Sequence, residues 1–506
     1  MDVPIAVFVF WSVLTLYLLR LLFFLIYKEF LRNLFHRIPL FKLAVPWSKS
    51  RILIIAPHPD DEIAACGGLI LKAVERSARI KVILLSNGDG LGLAERVTSP
   101  FKQPSAPYFV DQAYKRQKET IDALSLLGLS EKDMIFLGFP DRHFSELWRE
   151  NWMPDKPCTS RFTGQNAALY HNAYKPGAGY NGVGLVTQLE EIIRDFKPTH
   201  IFYPHFYDCH SDHHMANNFI KYTITKLRLS IKEYTYLVHR GNWPVPPGRF
   251  PRLHLTPPKA LGYCGIKWHS LDLSEAEVKL KEKCLGIFKS QLKNYILRKY
   301  LLAFLRKNEL FCTFNHIILP IDKKHRAVVP NPFADTLRSY LYKSGDIAGL
   351  TVYMDRENLN FEIRLMKKPC RGYIYMLDIS FFNALAEARR TLFTVTWPGQ
   401  LQRHTFAGEP IPWIEHAFCH MKKNDIFISL PCKDLSGLES FLVNASAYKG
   451  GKLVDRTGLR HIMLTGKDLG TQPNNALWQA PEPWEHYSVF PGKTGQRGNP
   501  PLPHRL

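Results

Sequence analysis

The sequence predicts an α/β protein: a mostly parallel sheet covered by helices on both faces, with an N-terminal transmembrane helix before it and a β-rich, sandwich-like domain after it. Three observations predict this. Short apolar runs alternate with helix-periodic segments from residue 51 onward, residues 5–27 are almost wholly apolar, and beyond about residue 326 the pattern changes to strand-like runs separated by turn residues. The expected organisation is an anchor over 1–28, a basic juxtamembrane segment over 29–50, and an α/β domain with a helical extension over 51–325. A β-rich accessory domain over 326–478 and a Pro/Gly-rich tail over 479–506 complete it.

Residues Ile5 to Tyr27 carry one charge, Arg20. About 20 apolar residues span a bilayer as a helix, and an arginine side chain can snorkel to the interface. Lys28, Arg32, Arg37, Lys42, Lys49 and Arg51 follow the run, with Glu29 the single acid among them, whereas only Asp2 precedes it. The positive-inside rule then expects a single-pass membrane protein with its bulk on the cytoplasmic side. The basic flank suits anionic lipid head groups.

The α/β pattern is read in order. Arg51–Ala56 is a buried strand, 63–76 a helix, Ile80–Ser86 a strand, 111–127 an amphipathic helix and Met134–Leu137 a strand. Residues 184–196 are helical, Thr199–Tyr203 is a fourth strand and 213–226 is helical again. Residues 142–183 form a long aromatic-rich connection, either a lid or a packed excursion. Residues 274–307 read as helical, and strands are expected at 350–354, 359–365, 372–379, 392–397, 425–430 and 441–448.

Composition narrows the partners. With 46% hydrophobic and 22% charged residues the chain can bury a core, and its net charge of +21 favours anionic partners. No zinc knuckle, P-loop or basic-aromatic motif is present, so no nucleic-acid partner is expected. Nine scattered cysteines form no CxxC pair, which argues against a disulfide framework and fits a reducing compartment.

Two motifs carry chemistry. Pro57-His58-Pro59-Asp60-Asp61-Glu62 follows the first strand, and His210-Ser211-Asp212-His213 follows the fourth. Ligand sites in such folds lie beyond the carboxyl ends of the strands, so the two loops are expected to meet. A catalytic zinc takes three protein ligands and keeps a place for water. His58, Asp61 and His213 supply two nitrogens and an oxygen, a set that suits Zn2+ and also Fe2+. Asp60 is then free to act as general base, and His210 to stabilise an oxyanion and protonate a leaving amine. The plainer readings are that Asp60 and Asp61 cap a helix, that Asp212 caps the next one, and that Glu62 orients a ligand or favours the helix dipole. For His205, Asp208 and His214 a supporting or structural role is expected.

These motifs resemble the two signatures of the PIG-L/LmbE family of zinc N-deacetylases, with Ser211 in place of the usual proline. Arg116-Gln-Lys-Glu119, Leu126-Leu-Gly128, Leu137-Gly-Phe-Pro-Asp141 and Ser86-Asn87-Gly88-Asp89 extend the resemblance, which covers roughly residues 50–240. It implies a Rossmann-like fold, a zinc cofactor, and removal of acetyl from N-acetylglucosamine joined to another group. It also implies substrate contacts from Arg116, Asp141 and Asn87. The eukaryotic membrane members act on N-acetylglucosaminyl-phosphatidylinositol, so a lipid-linked aminosugar at a membrane is the expected substrate. A soluble aminosugar conjugate is the second reading, and a membrane-tethered glycan-binding or scaffold protein with an inactive hydrolase domain is the third.

Overall fold

The computed structural model describes residues 38–465 except 91–103, 321–324, 333–335, 384–387, 406–415, 432–437 and positions 242, 263, 315 and 356, together with parts of 11–20. Strand β2 (Arg51–Ala56) shows why a sheet forms with both faces covered. Ile52, Ile54 and Ala56 point into one apolar cluster, while Leu53 and Ile55 point into another. This period-2 division of an all-apolar strand is what a layer of helices on each side requires.

The remaining elements follow in chain order. β1 (Leu40–Lys42) precedes β2, which leads into α1 (Asp61–Glu75), β3 (Arg79–Ser86), α2 (Ala106–Leu126) and β4 (Met134–Phe139). Then come α3 (Phe144–Arg149), α4 (Gly182–Phe196), β5 (His200–Pro204), α5 (Ser211–Leu227) and β6 (Lys232–Tyr236). β7 (Lys267–Asp272), α6 (Glu275–Leu285), α7 (Lys289–Leu292), α8 (Tyr295–Leu301) and β8 (Asn308–Thr313) complete this part. The eight strands form one sheet in the order β1-β7-β8-β6-β5-β2-β3-β4. β2 lies between β3 and β5, parallel to both, so the loops after β2 and β5 open side by side at the carboxyl edge.

The structure corrects the expected fold class in two respects. The sheet is mixed, because β8 runs antiparallel to both β6 and β7, and the described residues form three sheets. β8 returns from the helical run α6–α8 and enters the sheet from the opposite direction, an order that local periodicity does not carry. The second correction concerns the anchor. No helix among the described residues is long and apolar enough to cross a membrane, so the expected transmembrane helix and the single-pass localisation with a cytoplasmic catalytic domain are not supported. Most of residues 1–28 lie outside the described residues, as does the tail over 479–506.

Residues 142–183 are packed rather than open: Trp148, Trp152, Tyr170 and Tyr180 are all buried. The eight described cysteines form no disulfide. Inside α1, Gly68 is needed for packing, since a Cβ there would stand 2.4 Å from Leu273 Cδ2. The Glu309 carboxylate, on β8, accepts hydrogen bonds from the Gly68 and Leu69 amides at 2.7 and 2.9 Å and pairs with buried Lys281 at 2.6 Å.

The C-terminal part is strand-rich. β9 (Ile317–Pro320), β10 (Ala327–Pro330), a short α9 (Leu337–Leu341), β11 (Ile347–Met354), β12 (Asn358–Leu365) and β13 (Tyr373–Asn383) come first. β14 (Ala388–Thr396), β15 (Gln400–Thr405), β16 (Phe418–Lys422), β17 (Asp425–Pro431), β18 (Leu438–Lys449), β19 (Lys452–Arg456) and β20 (Arg460–Thr465) follow. They form two sheets, β10-β11-β12-β17-β16 and β15-β14-β13-β18-β20-β9, with β19 paired to β18. One apolar cluster joins their inner faces, with Val352, Phe361 and Ile428 on one side and Leu377, Phe393 and Val443 on the other, which makes a sandwich.

The sandwich is fastened to the α/β part by buried polar contacts. The Trp148 indole donates to Asp378 Oδ2 at 2.5 Å, and Arg390 pairs with the same carboxylate at 3.0 Å and donates to the Trp148 carbonyl at 2.9 Å. The Arg390 guanidinium also lies 3.9 and 4.2 Å from the ring centroids of Trp148 and Trp152, a cation–π arrangement. Elsewhere Arg456 donates to the Asp208 carbonyl at 3.1 Å.

Candidate metal centre

The turn after β2 brings His58 and Asp61 into position. Asp60 sits at φ 104, a conformation costly for a residue with a Cβ. Glu62 holds that turn by accepting from the Asp60 amide at 2.9 Å, and Asp61 accepts from the His58 amide at 3.1 Å. The turn after β5 brings His210 and His213 to the start of α5. There the His210 Nδ1 atom accepts from the Asp212 amide at 3.2 Å, so His210, not Asp212, caps α5. This acceptor role places the proton of neutral His210 on Nε2.

The two loops meet as expected. Asp61 Oδ2 stands 3.3 Å from His58 Nδ1 and 3.0 Å from His213 Nε2. Zinc bonds of about 2.0–2.1 Å put tetrahedral ligands about 3.3 Å apart, so this spacing fits a bound ion. Neither ring nitrogen of buried His213 makes an aligned hydrogen bond, although carboxylate oxygens lie 3.0 and 3.1 Å away. Each ring's other nitrogen is backed by buried acid. His58 Nε2 faces Asp141 Oδ1 at 3.1 Å and Asp212 Oδ2 at 3.2 Å, and His213 Nδ1 faces Asp208 Oδ2 at 3.1 Å. Carboxylates behind ligating imidazoles are the usual support of a metal site.

The electrostatics agree. Burial depresses the basicity of His58 and His213, but Asp141 raises His58 well above its usual value, and Asp208 and Asp61 lift His213 to about 10. Against the opposing effect of burial, the two imidazoles hold the Asp61, Asp141 and Asp208 carboxyls well below the carboxylate range. A buried group of carboxylates that favours positive charge at both rings equally favours a divalent cation there. Burial pushes Asp60 up to about 7, opposed by Arg116, and burial with the neighbouring His58 holds His210 neutral, down to about 4. Asp60 and His210 are partly exposed, whereas Asp61, Asp212 and His213 are buried, so solvent meets the site at Asp60 and His210.

The expected substrate contacts are placed differently from one another. Arg116 lies beneath the first motif, donating to the Pro59 carbonyl at 2.6 Å, the Gly88 carbonyl at 3.0 Å and Asp60 Oδ2 at 3.3 Å. A Cβ on Gly88, whose φ is +67, would meet the Arg116 guanidinium at 1.8 Å. Asp141 accepts from the Gly90 amide at 3.0 Å and faces His58. Asn87 is buried, and neither polar atom of its side chain has a hydrogen-bond partner among the described residues.

Sequence reasoning missed His239, three residues past the end of β6. Its ring lies 4.6 Å from that of His213 and 5.1 Å from that of His210. The signal available was the rule that sites gather at carboxyl ends of strands, applied to a strand too polar to be recognised.

Residues 53–224 match the family model described as PIG-L, GlcNAc-PI de-N-acetylase. This segment is similar to the PIG-L family of deacetylases. The matched segment runs from β2 to α5 and so contains both motifs. No curated protein sequence matches the chain. Among solved structures, a deacetylase of the teicoplanin biosynthesis pathway is 17% identical, covering 52% of this chain and 97% of its own, with a TM-score of 0.33. The N,N'-diacetylchitobiose deacetylase of Pyrococcus horikoshii is 16% identical, covering 54% and 87%, with a TM-score of 0.31. GalB of Pseudomonas putida, a 4-carboxy-2-hydroxymuconate hydratase, is 13% identical, covering 53% and 98%, with a TM-score of 0.32.

Proposed function

We propose that this protein is a metal-dependent N-deacetylase that removes acetyl from an N-acetylglucosamine-type aminosugar. The observation that carries the reading is Asp61 Oδ2 standing 3.3 and 3.0 Å from His58 Nδ1 and His213 Nε2, each ring braced by acid on its far side. His58, Asp61 and His213 would hold Zn2+, or Fe2+ in its place. Bound there, the ion would polarise the amide carbonyl and make a water molecule more acidic.

The chain's own residues supply the proton movements. Asp60 takes the proton of the attacking water on its carboxylate and returns it to the departing amine. The Nε2–H of neutral His210 donates to the oxygen that gains charge as the amide carbon becomes tetrahedral. Arg116 keeps the Asp60 carboxylate in place while holding Pro59 and Gly88 by their carbonyls. Asn87 and Asp141 are the proposed sugar contacts beside it.

A lipid-linked sugar is the preferred substrate, supported by the GlcNAc-PI description of the family model and by the net charge of +21. The test is acetate release from a panel of lipid-linked and soluble N-acetylglucosamine conjugates by metal-loaded protein. Asp60→Asn is expected to lower turnover by about 10²–10⁴-fold with metal content unchanged. Acetate release from soluble members alone would favour a soluble conjugate, and none from any member by metal-loaded protein would refute the activity.

A further inference from the structure

We propose that His239 is a further metal ligand, sharing the ion with Asp61 and His213. The inference rests on the metal site just described and adds a residue that the family match, which stops at residue 224, does not reach. One ligand atom each from Asp61, His213 and His239 lie within 4.8 Å of one another, close enough for small side-chain rotations to bring them onto one ion.

Three contacts fix how the His239 ring is presented. The His239 amide donates to Asp208 Oδ2 at 2.9 Å, the oxygen that also faces His213 Nδ1 at 3.1 Å, so one carboxylate sets the position of both histidines. The His239 ring stacks on Tyr300 of α8 with centroids 5.2 Å apart and planes 5° from parallel. The Tyr300 hydroxyl donates to the carbonyl of Val238, the preceding residue. Held flat in this way, the ring meets His213 edge-on, at an interplanar angle of 79°. Its nitrogens make no hydrogen bond to any described residue, so no described residue competes with an ion for them. Catalytic zinc takes three protein ligands and water and can expand to five positions, so a fourth side chain and a substrate water are compatible.

The helical extension then has a chemical task. α8 supplies the aromatic face that orients His239, and Ser290 and Gln291 next to it meet the helix α2 that carries Arg116.

The test uses the full chain stripped of metal and reloaded with Co2+, whose visible absorption bands report the ligand set. Zn2+ affinity is measured in parallel by chelator competition. His239→Phe keeps the stack on Tyr300 and removes both nitrogens, and His239→Asn is the second variant should the first not fold. The expected result is displaced Co2+ bands with Zn2+ affinity lowered beyond the ~10–100-fold that an outer-shell partner is worth. Bands unchanged from those of the unaltered protein overturn the proposal, even if activity falls, and would place His239 on the substrate side. If the unaltered chain binds no ion at all, the metal site itself fails, an outcome distinct from the loss of His239 alone.

Discussion

Asp208 is buried, and its carboxylate does the work of several caps. Oδ1 accepts from the His210 amide at 2.9 Å, while Oδ2 accepts from the Val238 and His239 amides at 3.0 and 2.9 Å and faces His213 Nδ1. No metal ligand in the proposed set is Asp208, yet three histidines depend on it. Asp208→Asn is therefore expected to weaken metal binding by about 10–100-fold and to leave the reaction at saturating metal much less affected. Chelator competition checks this, and an affinity within twofold of the unaltered protein would remove Asp208 from the site's support. Gly88 and Asp60 belong to the same scale. Each holds a positive φ next to Arg116, so the loop that carries the base is fixed by backbone geometry as much as by side chains.

At the scale of elements, the fastening of α3 to β13 and β14 is a buried ion pair enclosed by two indoles. Removing one partner leaves the other charged and desolvated. Arg390→Ala is expected to destabilise the fold by about 3–5 kcal/mol, read as a lower denaturant midpoint, whereas a surface pair such as Lys118–Asp122 is worth well under 1 kcal/mol. Elements also show what the sequence could and could not say. β2, β3, β5 and the helices α1 and α5 were legible because apolar periodicity and flanking turns are local, and the meeting of His58, Asp61 and His213 was legible because they sit directly after two of those strands. β6, Lys232–Tyr236, was not, since it opens on Lys-Glu and holds only two apolar residues, too few to establish a period. His239 went unseen with it. Asp212 reads locally as a helix cap, the commonest role of an Asp at a helix start, and only the tertiary approach of His58 Nε2, at 3.2 Å, shows its other one. The reversed direction of β8 is likewise a property of chain path rather than of any window of residues.

For the whole molecule, buried neutral histidines set a response to acid. His205 is fully buried, its Nδ1 accepting from the Tyr207 amide at 2.9 Å. Burial first, and Arg240 second, hold it down to about 3. The unfolded chain takes up this proton near pH 6.5, so the folded state binds fewer protons between those values. The stability it contributes is complete above pH 6.5 and is lost as pH falls toward 3, at up to about 1.4 kcal/mol per pH unit. Metal-free protein, in excess chelator, should thus show an unfolding midpoint that drops steadily from pH 6.5 to 4. The drop should be shallower for His205→Asn, and equal slopes in the two proteins would assign the acid response to other groups.

The reach of Arg456 from β19 to the Asp208 carbonyl gives the sandwich a consequence of its own. A premature stop at codon 456 would spare every residue proposed to touch substrate, yet it would withdraw the brace on Asp208, the residue that backs His213. Such an allele would present as a protein starved of its ion, rescued in part by metal supplementation, rather than as one that has lost an appendage.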